Sequence, residues 1–215
     1  MVKKEIIAED YPSEFDFEYL QSLKSLKDIV KYATSKLGAP KKGSSRLTYL
    51  VDEKIVLKIA YNPVGIVQNT FEMEPYLQDN YEDIVAKVLE ADYDKNIWLE
   101  MERIRPIKQG SQLKKFLDGY DIDDLKNYLE NQHNRFKRSE DFKIMCNKLD
   151  GNEFVNEIQD FIGSYDLLLG DVCRIGSWGL VVRDGVERPV LFDYGLTSRS
   201  HSTYYQHGEI KKEYR

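Results

Sequence analysis

The chain has 215 residues, 31 Lys and Arg against 37 Asp and Glu for a formal net charge of −6, and 41% hydrophobic residues, enough for one sizeable core or for two lobes. The acidic balance argues against non-specific nucleic-acid binding, which needs a basic face. No run approaches the about 18 apolar residues of a membrane span, the N-terminal MVKKEIIAEDYPSEF lacks the apolar stretch of a signal peptide, and Cys146, Cys173 and the three histidines show no metal-ligand spacing, so a soluble protein of a reducing cytoplasm is expected.

In chain order, residues 15–37 predict one helix, with Leu20, Leu23, Leu26, Ile29, Val30, Ala33 and Leu37 forming an apolar stripe. Gly38 and Pro40 end it. LTYLVDEKIVLKIA reads as a β-hairpin about Asp52-Glu53-Lys54. GIVQNTFEMEPYLQD, residues 65–79, predicts a helix with a kink or break at Pro75. AKVLEADYD and NIWLEMERI are extended segments around the turn Asp94-Lys95-Asn96. From Ser111 to Leu169 the pattern is helical, with Asp121 and Ser139 as candidate N-caps. GLVVRDGVERPVLFDYGL is again extended, and Asp184-Gly185 is its hairpin signal. The polar end of the chain, after Gly195, reads as a tail without regular structure. The expected division is a β-rich lobe over 1–105 and a helical lobe over 106–215, an α+β chain.

The first residue with chemical promise is Lys58, in IVLKIA. Strand alternation puts Val56, Lys58 and Ala60 on one face and Ile55, Leu57 and Ile59 on the other. Lys58 is either an edge-strand lysine that discourages aggregation or a lysine held for a purpose. The turn Gly43-Ser44-Ser45-Arg46 just ahead could cradle phosphate oxygens, or be an ordinary turn. Glu72 and Glu74 follow on the predicted helix, and either could pair with Lys58 or lie in solvent.

A second cluster lies towards the C-terminus. Gly170-Asp171 follows an apolar helix, Gly176-Ser177-Trp178-Gly179 opens the hairpin, and its second strand leads into Asp193-Tyr194-Gly195. A carboxylate at the end of an apolar strand is costly to bury unless it meets a cation or metal. Asp171 and Asp193 are then either paired carboxylates of a site or two capping aspartates.

The order of Gly/Ser turn, strand lysine, helix glutamate, linking strand, Gly-Asp loop and Asp-Tyr-Gly resembles the protein-kinase-like superfamily, and in particular the short kinase-like proteins of bacteriophages. VLKIA with GIVQNTFEME, WLEMERI, and GDVCRIGSWGLVVRDG with VLFDYGL carry the likeness, over roughly residues 37–198. The resemblance implies a two-lobed kinase-like fold with a truncated helical C-lobe. It implies ATP and Mg²⁺ as cofactors, with Lys58 on the α- and β-phosphates, steadied by Glu72 or Glu74. Gly43, Ser44 and Ser45 would lie over the phosphates, and Glu100, Met101 and Glu102, with Arg103, would form the hinge against adenine. Asp171 would accept the proton of a protein hydroxyl, Asp193 would bind the metal, and Arg174 would neutralise phosphate charge.

Departures from the family's pattern favour a second reading. Gly176 stands about where the metal-binding Asn belongs, with Ser177 the nearest polar substitute; Leu169-Gly170 replaces His-Arg; and 20 residues follow Gly195, too few for the usual helices beyond. The two expectations are a cytoplasmic phosphotransferase acting on protein, and a pseudokinase-type protein, for example a phage factor that binds and blocks a host or defence protein in the host cytoplasm.

Overall fold

Ser25 splits the first predicted helix in two. In the computed structural model, which describes residues 14–74, 79–195, 197–206 and 209–211, α1 spans Phe17–Ser22 and α2 spans Leu26–Leu37. Ser25 is extended and its hydroxyl accepts the Asp28 N–H at 3.1 Å, so the chain restarts a helix there. The apolar stripe survives the break: Leu20, Ile29 and Ala33 are buried, and Leu23, Leu26, Val30 and Leu37 pack against the same core.

The predicted hairpins form. β1 (Lys41–Lys42), β2 (Arg46–Leu50), β3 (Ile55–Ala60), β4 (Val88–Ala91) and β5 (Trp98–Glu102) make an antiparallel sheet in the order β1-β2-β3-β5-β4. One face, with Tyr49, Ile55, Leu57, Ile59 and Trp98, closes a core with α1 and α2. The other face meets α3, Pro63–Glu72, which starts two residues before the predicted helix. Pro63 takes the first helical position, where its missing N–H costs nothing. The Asn62 side chain caps the Gly65 N–H at 3.1 Å and also donates to the Ser44 carbonyl at 3.2 Å. Asn62→Ala is expected to cost about 1 kcal/mol, the usual worth of such a cap, read by urea denaturation. The helix ends at Glu72, and the kink expected at Pro75 lies outside the described residues.

The chain divides into two compact units. One draws its described residues from Met1–Pro75, Lys87–Arg103 and Tyr204–Arg215, the other from Tyr76–Ala86 and Ile104–Thr203. The division therefore crosses the chain more than once rather than falling at a single cut near 105.

In the second unit α4 (Ile122–Asn131), α5 (Glu140–Leu149) and α6 (Glu153–Tyr165) form where helices are predicted, with Asp121 and Ser139 as N-caps. Residues 111–120 differ: a 3-10 turn at Gly110–Gln112 leads into further turns, and left-handed Asp118 and Gly119 (φ 51° and 94°) stop a helix from propagating. β6 (Arg105–Pro106), β7 (Trp178–Arg183) and β8 (Val186–Leu191) make a three-stranded sheet. Asp184 and Gly185, at φ 53° and 77°, form the left-handed two-residue turn that joins β7 to β8. Segment 84–86 runs beside β8, with Leu191 N–H donating to Ile84 O at 2.8 Å and Ala86 N–H to Leu191 O at 2.7 Å.

The tail is more ordered than its composition suggests. α8 (Ser198–Tyr204) is followed by the short antiparallel pair β9 (Tyr205–Gln206) and β10 (Glu209–Ile210), in which Ile210 is buried. Thr197 and Ser200 exchange side-chain and backbone hydrogen bonds at the start of α8, a local cap that polarity alone conceals. The structure is α+β. Among the described residues no helix is long and apolar enough to cross a membrane.

Candidate functional site

Lys58 is an interior residue. β3 lies between β2 and β5, and Lys58, opposite Thr48 and Leu99, is 6% exposed, so the edge-strand reading fails. Alternation turns it towards α3, where its Nζ lies 3.0 Å from Glu72 Oε2. Glu72 is fully buried and takes a second cation: Arg46 contacts Oε2 through Nη1 at 2.7 Å and Oε1 through Nη2 at 2.9 Å. A buried carboxylate with two charge-assisted partners is held much more firmly than a surface ion pair. Of the two candidate glutamates, Glu72 is the one that meets Lys58; Glu74 lies beyond the helix end.

Arg46 is the residue that sequence reasoning missed. The hairpin register places Arg46 opposite Ala60 and Thr48 opposite Lys58, so all four share one face. Its Nη1 also reaches Asn69 Oδ1 at 3.4 Å, and Asn69 donates to the carbonyls of Asn96 and Ile97 at 2.9 and 3.0 Å. Glu72, Asn69 and Gln68 thus tie α3 across β2, β3 and the turn before β5.

The Gly43–Ser45 turn departs from the expected phosphate cradle. The Ser45 hydroxyl is buried and donates to Gln68, and the Ser45 carbonyl accepts the Tyr61 N–H at 3.1 Å. The Gly43 carbonyl accepts the Tyr61 hydroxyl at 2.7 Å. These groups strap the turn to the β3–α3 junction; Gly43 and Ser44 keep exposed surface. The residues expected to form the hinge lie at and beside the sheet. Glu100 and Met101 are interior positions of β5 and pair with β3 on one side and β4 on the other, which commits their main chain to the sheet. The Glu102 N–H donates to Lys87 O at 2.8 Å, and Arg103 clamps the β2–β3 turn through its N–H to Lys54 O at 2.6 Å and its guanidinium to Asp52 O at 2.7 Å. A shallow pocket of about 210 Å³ near Leu23, Ile29 and Trp98 lies on the sheet face opposite Lys58.

In the second unit Asp171 and Asp193 do meet, through Arg174. Asp171 lies in the one-turn helix α7, Leu169–Val172, which the Trp178 indole fixes by donating to Val172 O at 2.6 Å. Trp178 pairs with Leu191, and the Phe192 N–H donates to Ser177 O at 3.0 Å, so the hairpin carries Asp193 to the same end. Tyr194 is buried, with its ring 6.0 Å from that of Phe161. Arg174 Nη2 lies 3.0 Å from Asp193 Oδ2 and 3.9 Å from Asp171 Oδ1, and Arg174 Nε donates to Ser177 Oγ at 3.3 Å.

Burial is the main cause that raises the Asp171 pKa; Asp193 pushes the same way, while Arg174 and His201 oppose. The folded state therefore holds that proton more tightly than the unfolded state. The ionised carboxylate costs stability at pH values above its folded pKa, and the cost is absent below its unfolded value, about 4. Asp171→Asn is accordingly expected to raise the melting temperature at neutral pH, with the gain shrinking as pH falls towards that value, measured by melts across the range.

Magnesium takes oxygen ligands in octahedral geometry at about 2.0–2.1 Å. Here the carboxylate meant for it holds a guanidinium, and Ser177, its expected second ligand, is buried and accepts from that same arginine. Among the described residues no group of three or more His, Cys, Asp or Glu is placed to hold a metal ion. As arranged, Asp193 Oδ2 and the Ser177 hydroxyl both face Arg174, an arrangement that does not fit Mg²⁺.

No protein-family model matches the chain, and no curated protein matches it.

Proposed function

We propose that this chain is a two-lobed, kinase-like protein of the pseudokinase type, which binds ATP and acts in the cytoplasm by engaging a protein partner, such as a host or defence protein. The observation that carries the nucleotide reading is the buried Lys58–Glu72 pair between an interior strand and the helix packed on it, 3.0 Å across. A strand lysine steadied by a helix carboxylate suits the α- and β-phosphates of ATP. The choice of pseudokinase rests on Arg174, which takes the carboxylate that phosphoryl transfer would give to a metal.

Phosphotransfer to a protein hydroxyl is the second reading, favoured by Asp171, whose raised pKa suits a general base. That chemistry would draw on Mg²⁺ to offset phosphate charge, and Arg174 would first have to release Asp193. Labelled ATP separates the two. The pseudokinase reading expects ATP to raise the melting temperature of the wild type but not of Lys58→Met, with no label passed to protein. Label transfer that Asp171→Asn abolishes would establish the phosphotransferase instead.

A further inference from the structure

We infer that the cation serving the Asp171–Asp193 pair is Arg174 itself, held where a divalent metal would otherwise bridge the two carboxylates. Two carboxylates brought to one end of a hairpin repel each other, and a cation between them removes that cost. The guanidinium supplies it in place. It is within hydrogen-bonding distance of Asp193, within ion-pair distance of Asp171, and fixed at its Nε by the hydroxyl of Ser177.

The surroundings hold Arg174 to this role. Ser177 is fully buried, and its N–H closes a turn onto the Arg174 carbonyl at 2.9 Å. Trp178, next in the chain, is fully buried and donates to Val172 O, which fixes the two ends of the 172–178 loop together. A divalent ion entering here would displace the arginine or sit against its charge, because Asp193 Oδ2 and the Ser177 hydroxyl already face the guanidinium.

The test uses Mn²⁺ alone on the whole chain, followed by its electron paramagnetic resonance. The wild type is expected to bind Mn²⁺ weakly. Arg174→Gln should bind it about tenfold tighter or more, the scale of single-group effects at metal sites, and Arg174→Lys, which keeps the charge, should resemble the wild type. Wild-type Mn²⁺ affinity equal to that of Arg174→Gln would overturn the assignment of Arg174.

Discussion

Glu72→Gln is expected to destabilise the first unit by about 3–5 kcal/mol, the cost of removing one member of a buried ionic group. The amide has nearly the shape of the carboxylate but no charge, so two buried cations, Arg46 and Lys58, lose the anion they share. Lys58→Met costs less, because Glu72 keeps its two-pronged contact with Arg46. Urea denaturation of the three proteins gives the order wild type, Lys58→Met, Glu72→Gln. Equal stability of the wild type and Glu72→Gln would show that the triad carries no net charge coupling. The asymmetry makes Lys58→Met usable as a functional probe, since it removes the proposed phosphate-binding group and leaves α3 anchored.

Gly65→Ala is the second large effect. A Cβ at this position would stand 2.3 Å from the Ser45 carbonyl oxygen and 2.9 Å from Ala60 Cβ. The first obstacle is backbone that the Tyr61 N–H holds in place, so α3 itself must move. Overpacking of this kind costs roughly 3 kcal/mol, well beyond the helix-propensity gain of about 1 kcal/mol that alanine brings. Gly163 in α6 is the matched control: nothing lies within 4 Å of its Cβ position, and Gly163→Ala should stabilise by about 0.5–1 kcal/mol. Chemical denaturation of both variants reads the contrast. A shift of α3 would also carry Glu72 and the Lys58 pair out of register, so Gly65→Ala should weaken ATP binding although it touches no proposed ligand.

Much of this arrangement is visible in the chain before folding. Period-two alternation in IVLKIA separates Lys58 from the core face, and Asp184-Gly185 sets the hairpin turn that brings Asp193 to Ser177. What stays hidden is of two kinds. Local hydrogen bonding overrides periodicity at Ser25, which caps a new helix inside an unbroken apolar stripe, and at Thr197 and Ser200, which order a tail that polarity alone marks as loose. Partner choice is the other. Arg46 lies 26 residues before Glu72, and only the β2–β3 register puts it on the face that α3 covers. Arg174 is three residues from Asp171, so its nearness could be read from spacing, but its grip on Asp193 depends on a hairpin closing 19 residues of chain. Ser45 and Ser177 share one feature: a buried hydroxyl must find a partner inside the fold, and each meets a neighbouring side chain.

The nucleotide reading depends on Lys58 more than on any other group. Isothermal titration with ATP in magnesium, comparing the wild type with Lys58→Met at matched stability, tests it most directly. The account predicts saturable binding to the wild type, lost or weakened by at least about tenfold (1.4 kcal/mol) in Lys58→Met. Equal ATP affinity of the two proteins, or no binding to the wild type, would contradict it.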